Sequence, residues 1–494
     1  MSDLRNILQK LFAENDRYPN FGNVLKRIRS KGFRCHSDTI LDIESPITAL
    51  CGLNGTGKST LLQLAACAYK FPTDNRRSFH IKDFMVVGIL DERPFTDQAE
   101  VEYSYWQEDR TLSLARLYRD VGSYRWRGYQ YRPERLVYFA GIGIYLPKIE
   151  EQDFIIRNAN KLKFSQATSA TPRVKSWVCK ILGQSYDNIF LNEVKIGNDE
   201  SGNSLRTGTV ASVERANAKY TEAHMGFGEG RIQHLVRKLE LLPEKSLVIL
   251  EEPETSLHPS AQYALGEYLV DVSKNRHHQI LLTTHSDFLL EALPSQSRIY
   301  LYRDSHGAIR SIVGLTSQQA RSLMADGHVK ALHILVEDEL AKTIITEILR
   351  RTDKQLLRTI AIHVPEKNGS TLLSQTIRTL READLPVAAV LDGDKAATPK
   401  NNIFKLPGTQ PPEKEIFASV GVEAYLNQQY GVNMADFRAN LYVVDHHEWL
   451  TRLADRVNLD ENILAGELAR VYVGTLNESD IDTLVTELRE VARK

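Results

Sequence analysis

The sequence predicts an α/β protein made of two parallel-sheet domains in series, the larger one first. Three patterns carry that expectation. Short apolar runs such as "SLVIL" at 246–250 and "HQILLTTH" at 278–285 alternate with helical stretches, as buried parallel strands and their crossovers do. A glycine-rich turn, "CGLNGTGKST" from Cys51 to Thr60, joins a strand-like run to a helix-like one. Two later strands, "ALHILVEDE" and "PVAAVLDGDK", each end in carboxylates.

The chain has 494 residues, enough for two or three separate cores. A net charge of −1 offers no global attraction to nucleic acid, so any such surface would be a local patch. The four cysteines (Cys35, Cys51, Cys67, Cys179) have neither metal nor disulfide spacing, which suits a reducing compartment. The polar, amphipathic start lacks the apolar core of a signal peptide, and no run is long enough to span a bilayer. The expected location is therefore cytoplasmic, with no membrane partner.

Taken in order, residues 22–52 alternate as strands and feed the glycine-rich turn. Residues 98–142 read as short strands rich in aromatic and β-branched residues. From about 150 to 222 the pattern is polar and irregular and reads as a helical insertion. A strand at 246–250, a helix at 260–273, a strand at 278–285 and a hairpin at 298–313 complete a first domain over 1–315. The second domain, 316–430, repeats strand and helix: "ALHILVEDE", "LAKTIITEILRRT", "RTIAIHVP", "TLLSQTIRTLREA", "PVAAVLDGDK". Residues 431–494 read as a helical extension.

Gly52 to Thr60 matches G-x-x-x-x-G-K-[ST]. Glycines let successive N–H groups of Asn54, Gly55, Thr56, Gly57, Lys58, Ser59 and Thr60 turn inward towards phosphate oxygens, and the following helix adds its positive end. Lys58 would reach the β- and γ-phosphates of ATP, and Ser59 would ligate Mg²⁺. "LVILEEPETSLHP" (Leu247 to Pro259) is an apolar strand ending in two glutamates. Glu251 would hold Mg²⁺, and Glu252 would orient or deprotonate the attacking water. In "LLTTHSDF", His285 ends the next strand within reach of the γ-phosphate.

This ordered set resembles the ABC-type ATPase superfamily, in the branch with SMC, RecF and OLD-type heads. The resemblance covers roughly residues 20–315. It implies that two heads sandwich ATP, so that the protein forms a homodimer or higher oligomer. The glycine-rich signature such heads offer in trans is matched by "HMGFGEGRIQHLV" (His224 to Val236). Gly228 and Glu229 fit that signature; Gly226 replaces the usual serine and Gly230 a common glutamine.

In the second domain, Glu337, Asp392 and Asp394 stand at strand ends, where parallel sheets bind ligands. Their oxygens favour Mg²⁺ or Mn²⁺, ions that assist phosphodiester cleavage. Gly369, in "PEKNGST", would turn close to the metal. The Glu…Gly…Asp-x-Asp order resembles the Toprim domain of topoisomerases, primases and OLD nucleases, over about 330–400. Active nuclease members usually carry glycine after the glutamate and an acid four residues beyond it. This chain has Asp338 and Ala341 there. The cluster Asp445, His446, His447 and Glu448 reads as a helix cap following the strand-like "NLYVV", or as late metal ligands. "KLPGTQPPEKEIF" (Lys405 to Phe417) reads as a rigid loop entering a helix beside the metal pocket, with Lys395 and Lys414 on the surface.

Residues 110–135 interleave Arg110, Arg116, Arg119, Arg125, Arg127, Arg132 and Arg135 with Tyr118, Tyr124, Trp126, Tyr129 and Tyr131. That composition tracks phosphates and stacks on bases, but its alternation also describes a hairpin with aromatics inward.

An ABC-type P-loop head followed by a smaller Toprim-like α/β domain is similar to the OLD family, including the larger subunit of antiphage Gabija systems. The implied function is an ATP-regulated, metal-dependent nuclease acting on DNA or RNA. The alternative is an ATPase scaffold that controls a separate nuclease subunit, as in Septu systems with an HNH partner.

Overall fold

The strand Ile47–Gly52 is buried at all six positions and lies inside a six-stranded sheet. Its computed structural model describes residues 2–492 except 73–76, 89, 91–92, 121–124, 142–162, 197–205, 305, 326–328, 366–368, 383–384, 440 and 442–443. The chain divides into two compact units, Met1–Ser317 and Gln318–Lys494. No helix among the described residues is long and apolar enough to cross a membrane.

In the first unit the sheet order is Ile309–Val313, Arg298–Arg303, Ile47–Gly52, Gln279–Thr283, Leu247–Glu251, Val137–Ala140. All neighbours are parallel except the edge strand Ile309–Val313. Leu247, Ile249, Leu281, Leu50 and Leu301 share one core with Leu61, Leu62 and Leu64 of the helix Lys58–Ala66. Each such side chain, removed from water, contributes about 1.5–3 kcal/mol, and this fixes the helix that follows the glycine-rich turn against the sheet.

A five-stranded antiparallel sheet, which includes Val24–Phe33, His36–Asp42 and Phe95–Trp106, packs into the same core.

Residues 150–222, expected to be a helical insertion, are largely β-structure where described. Lys163–Ser169, Asn188–Ile196, Arg206–Arg215 and Ala218–Thr221 form a four-stranded antiparallel sheet, accompanied by the helix Pro172–Leu182. Lys163–Ser169 is exposed at every position, so it carries no apolar alternation from which a strand can be read.

The second unit is a four-stranded parallel sheet in the order Ile360–His363, Leu332–Val336, Val387–Leu391, Ile403–Lys405. Both faces are covered, as period-two alternation requires. Ala388 and Val390 join the larger core with Ile344, Ile345 and Ile348 of helix Glu339–Thr352. Val387, Ala389 and Leu391 pack on Leu373 and Ile377 of helix Ser370–Glu382. Residues 431–494 contribute Leu453, Leu464, Leu468, Leu484 and Leu488 to the larger core, so these helices complete the unit. The strand-like run before Asp445 forms no strand at its described residues Leu441 and Val444; both are drawn into that core from a turn.

Candidate functional site

The register of the first sheet brings three strand ends together. Glu251 is paired with Thr283, and Thr283 with Leu50, so the glutamate pair, His285 and the glycine-rich turn emerge side by side. Gly52, Gly55 and Gly57 have φ of +138°, +78° and +79°, the region that favours glycine. At Gly57 space forbids a side chain as well: a Cβ would lie 2.1 Å from Nε2 of the buried His36, which contacts Gly57 O at 3.1 Å. Lys58 is buried and donates from Nζ to Gly52 O at 2.8 Å and Leu53 O at 3.0 Å. Burial holds its ammonium below the usual lysine range. Asn54, Gly55 and Ser59 are exposed, whereas Thr56 and Thr60 are buried. Thr56 donates to Leu53 O at 2.8 Å, and Arg34 donates to Thr60 Oγ1 at 3.3 Å.

The Ser59 hydroxyl hydrogen-bonds the Glu251 carboxylate, whose pKa is raised by burial and by Glu252. Glu251 Oε1 is buried with no hydrogen-bond partner among the described residues. A hydroxyl and a buried carboxylate with one unmatched oxygen suit a hard cation such as Mg²⁺. Glu252 takes φ +42°, a conformation costly for a residue with a side chain. Its N–H donates to Thr283 O at 3.1 Å, and its carbonyl accepts from Arg231 at 2.9 Å. His285 Nε2 lies 3.6 Å from Glu252 Oε1, beyond a direct hydrogen bond. Burial, then nearby Lys58, holds the imidazole below the usual histidine range.

Two residues that sequence reasoning passed over hold this arrangement. Glu254 is 6% exposed and accepts the His285 N–H at 3.1 Å on Oε1, which also accepts from the Thr284 hydroxyl. Arg231, 3% exposed, donates to the carbonyls of both Glu251 and Glu252 from the helix Phe227–Leu241. Each stands close to a residue already singled out, Glu254 two past Glu252 and Arg231 three past Gly228, but only the fold shows the contacts they make.

The signature segment opens that same helix. A Cβ on Gly228 would meet Ser256 O at 2.7 Å, so the helix start presses on the loop that follows Glu252 in its own chain. Glu229 is held within its chain too, since its Oε1 accepts from Tyr186 at 2.7 Å and Tyr220 at 2.9 Å.

In the second unit, Val336 pairs with Val390, which sets Glu337 and Asp392 just beyond adjacent strand ends. The Asp392 N–H donates to Glu337 Oε1 at 3.2 Å. Asp392 is 5% exposed, and Oδ1 has no hydrogen-bond partner among the described residues. Burial first, then Glu337, Asp338, Glu413 and Asp394, pushes its pKa up to about 8. Like-charged oxygens crowded around a buried, unmatched one form a donor set that fits Mg²⁺ or Mn²⁺. Asp394 is drawn instead to Lys395 Nζ at 2.7 Å.

Asp338 caps the helix Glu339–Thr352, accepting the Ala341 N–H at 2.7 Å, and Ala341 is fully buried in the core. Glu339 pairs with Lys342. Position 341 thus serves packing, and an acid there would lie among Ile344, Ile345 and Leu340. Gly369 has φ +121° and open space at its Cβ position; 366–368 lie outside the described residues.

The loop from Lys405 packs directly on the acidic turn. A Cβ on Gly393 would meet Gln410 O at 2.9 Å, and Lys405 Nζ donates to Gly393 O at 3.1 Å. That loop delivers Glu413, a buried carboxylate absent from the sequence reading, whose charge bears on Asp392. Asp445 accepts the His447 N–H at 3.1 Å, a capping contact, while His447 Nδ1 lies 3.1 Å from Glu413 Oε1.

Within 110–135 the structure favours the hairpin. Trp126 stacks on Phe33 at 5.4 Å between ring centres, and the Arg119 guanidinium sits 4.6 Å from the centre of the Phe95 ring. Arg132 and Arg135 are buried and donate to backbone carbonyls of Cys67, Phe79 and Lys245. Arg116 pairs with Glu100 and Arg127 with Asp120. Tyr124 lies outside the described residues.

Comparison with known proteins points to an ATPase domain. Residues 27–206 match the AAA domain family, and residues 140–290 match the AAA ATPase domain family. The Old nuclease of Escherichia phage P2 is 23% identical over 230 residues, 45% of this chain and 34% of that protein. The chain therefore spans about a third of the length of this relative. The SMC head domain from Thermotoga maritima is 14% identical, with a TM-score of 0.35 over 58% of this chain and 98% of its own. The Smc head domain from Pyrococcus furiosus, bound to the C-terminal domain of ScpA, is 14% identical with a TM-score of 0.37, covering 61% and 99%. The two family matches lie within the first unit and support an ATPase there.

Proposed function

We propose that the protein is an OLD-like, ATP-regulated nuclease, in which a Toprim-like second unit cleaves phosphodiester bonds with Mg²⁺ or Mn²⁺. The observation that carries this reading is Asp392, buried with an unpartnered oxygen beside Glu337 at the ends of parallel strands. Such an oxygen is costly to bury unless a cation completes its bonding. Glu337, Asp392 and Asp394 would hold the cation, which when bound polarises a phosphoryl oxygen and lowers the pKa of a water. Glu337 fixes the backbone at Asp392, and Lys405 holds the turn at Gly393, so the carboxylates keep their orientation.

In the first unit, Lys58 and the N–H groups of residues 54–60 bind the triphosphate. Ser59 and Glu251 would hold Mg²⁺. Glu252 takes the proton of the water that attacks the γ-phosphorus as the bond to the β-phosphate oxygen breaks, and His285 donates a hydrogen bond to the γ-phosphate. A second head supplies Gly228 and Glu229 in a homodimer or larger oligomer, whose nucleotide-driven closure regulates access to nucleic acid. Antiphage defence is the role that the resemblance to OLD-family and Gabija proteins implies for such a nuclease.

A second reading is favoured by Asp338, which is spent as a helix cap, and by Lys395, which offsets Asp394. In that reading the second unit is catalytically silent and the ATPase governs a separate nuclease subunit. Plasmid incubated with the purified chain and Mg²⁺ or Mn²⁺, beside an Asp392→Ala/Asp394→Ala variant, decides between the two. Cutting by the parent alone is expected. Cutting by neither, with Lys58-dependent ATP hydrolysis intact, would establish the scaffold.

A further inference from the structure

Glu413, His446 and His447 come from two separate elements, the first turn of the helix Pro412–Ala418 and the short 3-10 turn His446–Glu448. One ligand atom from each lies within 4.8 Å of the others. The two imidazoles face one another with ring centres 4.1 Å apart, and His447 Nδ1 stands 3.1 Å from Glu413 Oε1.

A second, independent feature points to a ligand. Glu413 is 5% exposed, yet Oε2 has no hydrogen-bond partner among the described residues. A buried carboxylate that spends one oxygen on a histidine and leaves the other unmatched carries a desolvation cost that a cation would remove. The histidines supply what the Glu337–Asp392 pocket lacks, nitrogen donors, which favour Zn²⁺, Co²⁺ or Mn²⁺ over Mg²⁺. His446 also lines an adjoining cleft of about 460 Å³ with Lys414, Arg438, Leu441 and Trp449, through which the cluster reaches solvent.

We propose that Glu413, His446 and His447 form a second divalent-cation site, selective for a nitrogen-liking transition metal and adjoining the Glu337–Asp392 site. Lys414, Arg438 and Asp445 are charged neighbours of the turn, and Asp445, 3.3 Å from His446 Nδ1, orients that ring. The site makes good the acid missing at Ala341: a second cation is held by residues from the helical part of the unit instead of by the first helix. Only this last point, a share in cleavage, rests on the nuclease reading; the binding itself does not.

The test uses the full chain, freed of metal by chelator and titrated with Co²⁺ and with Zn²⁺ against a chromogenic chelator. His446→Gln/His447→Gln, Glu413→Gln and Asp392→Asn/Asp394→Asn are titrated alongside, with circular dichroism to verify folding. Expected are a visible Co²⁺ absorption typical of nitrogen ligation and one tight Zn²⁺ per chain. Both should persist in the aspartate variant, and Zn²⁺ binding should weaken at least about tenfold in the folded histidine variant. Equal Zn²⁺ affinity in the histidine variant, or no Zn²⁺ bound by the parent, would overturn the proposal. Neither readout depends on plasmid cutting, so the nuclease reading stands or falls separately.

Discussion

The backbone N–H of His285 donates to Glu254 Oε1 across 3.1 Å, so a buried carboxylate outside the acidic pair sets where the histidine begins. Glu254→Ala would leave the buried Thr284 hydroxyl and the part-buried His285 N–H without their acceptor, at about 1–3 kcal/mol for the buried hydroxyl. Expected are a lower melting temperature by calorimetry and a loss of ATP turnover larger than the loss of nucleotide affinity. Glu254→Gln keeps an acceptor oxygen and should recover most of both. Turnover unchanged in the alanine variant would remove Glu254 from any positioning role.

Lys58 and Glu252 should separate binding from hydrolysis. Lys58→Ala removes the ammonium buried in the glycine-rich turn, and titration with a fluorescent ATP analogue should show binding abolished. Glu252→Gln leaves the turn intact, so binding persists while phosphate release slows by about 10²–10⁴-fold.

Asp392 makes the second unit pH-sensitive. In chelator-treated protein its carboxyl loses its proton at about pH 8, against about pH 4 for an aspartate in an unfolded chain. Between those values the folded chain holds one proton more than the unfolded one. The contribution from this group is therefore present at low pH and lost as pH rises through the window. Urea unfolding midpoints should fall with rising pH across that range, and less so in Asp392→Asn. Mg²⁺ or Mn²⁺ displaces the same proton, so calorimetric titration should find affinity rising with pH until about pH 8.

Gly228 is set by space. In Gly228→Ala the new methyl would meet Ser256 O at 2.7 Å and Leu257 Cδ2 at 3.0 Å. Overpacking there should cost about 1–3 kcal/mol, read as a lower melting temperature. The displaced loop follows Glu252, so hydrolysis should fall along with stability; a variant as stable as the parent would show that the loop gives way freely.

Elements with a strong periodic or motif signal were legible in advance. The turn at Gly52–Thr60, the strands ending at Glu251, Glu337 and Asp392, and the hairpin at 298–313 lie where alternation and glycine spacing put them. The sheet at 163–221 was not legible, because its first strand is exposed throughout and carries no apolar face. Glu413 escaped for a different reason. It stands in the first turn of the helix Pro412–Ala418, 21 residues past Asp392 (413 − 392), and only packing of the preceding Pro/Gly loop on Gly393 turns it towards the carboxylates.

By itself, the chain's order of residues determined the local chemistry: a loop of inward N–H groups ahead of a helix, acids at the ends of apolar strands, and a core alternating on both faces of the second sheet. These follow from backbone sterics and from period-two or helical spacing, which act over a few residues. Tertiary structure alone decided which distant groups meet. Arg231 on the Glu252 carbonyl, Glu254 under His285, and Glu413 against His447 depend on strand register and on helices packing across a sheet. Such contacts are selected by the burial of whole faces, and no short stretch of sequence encodes them.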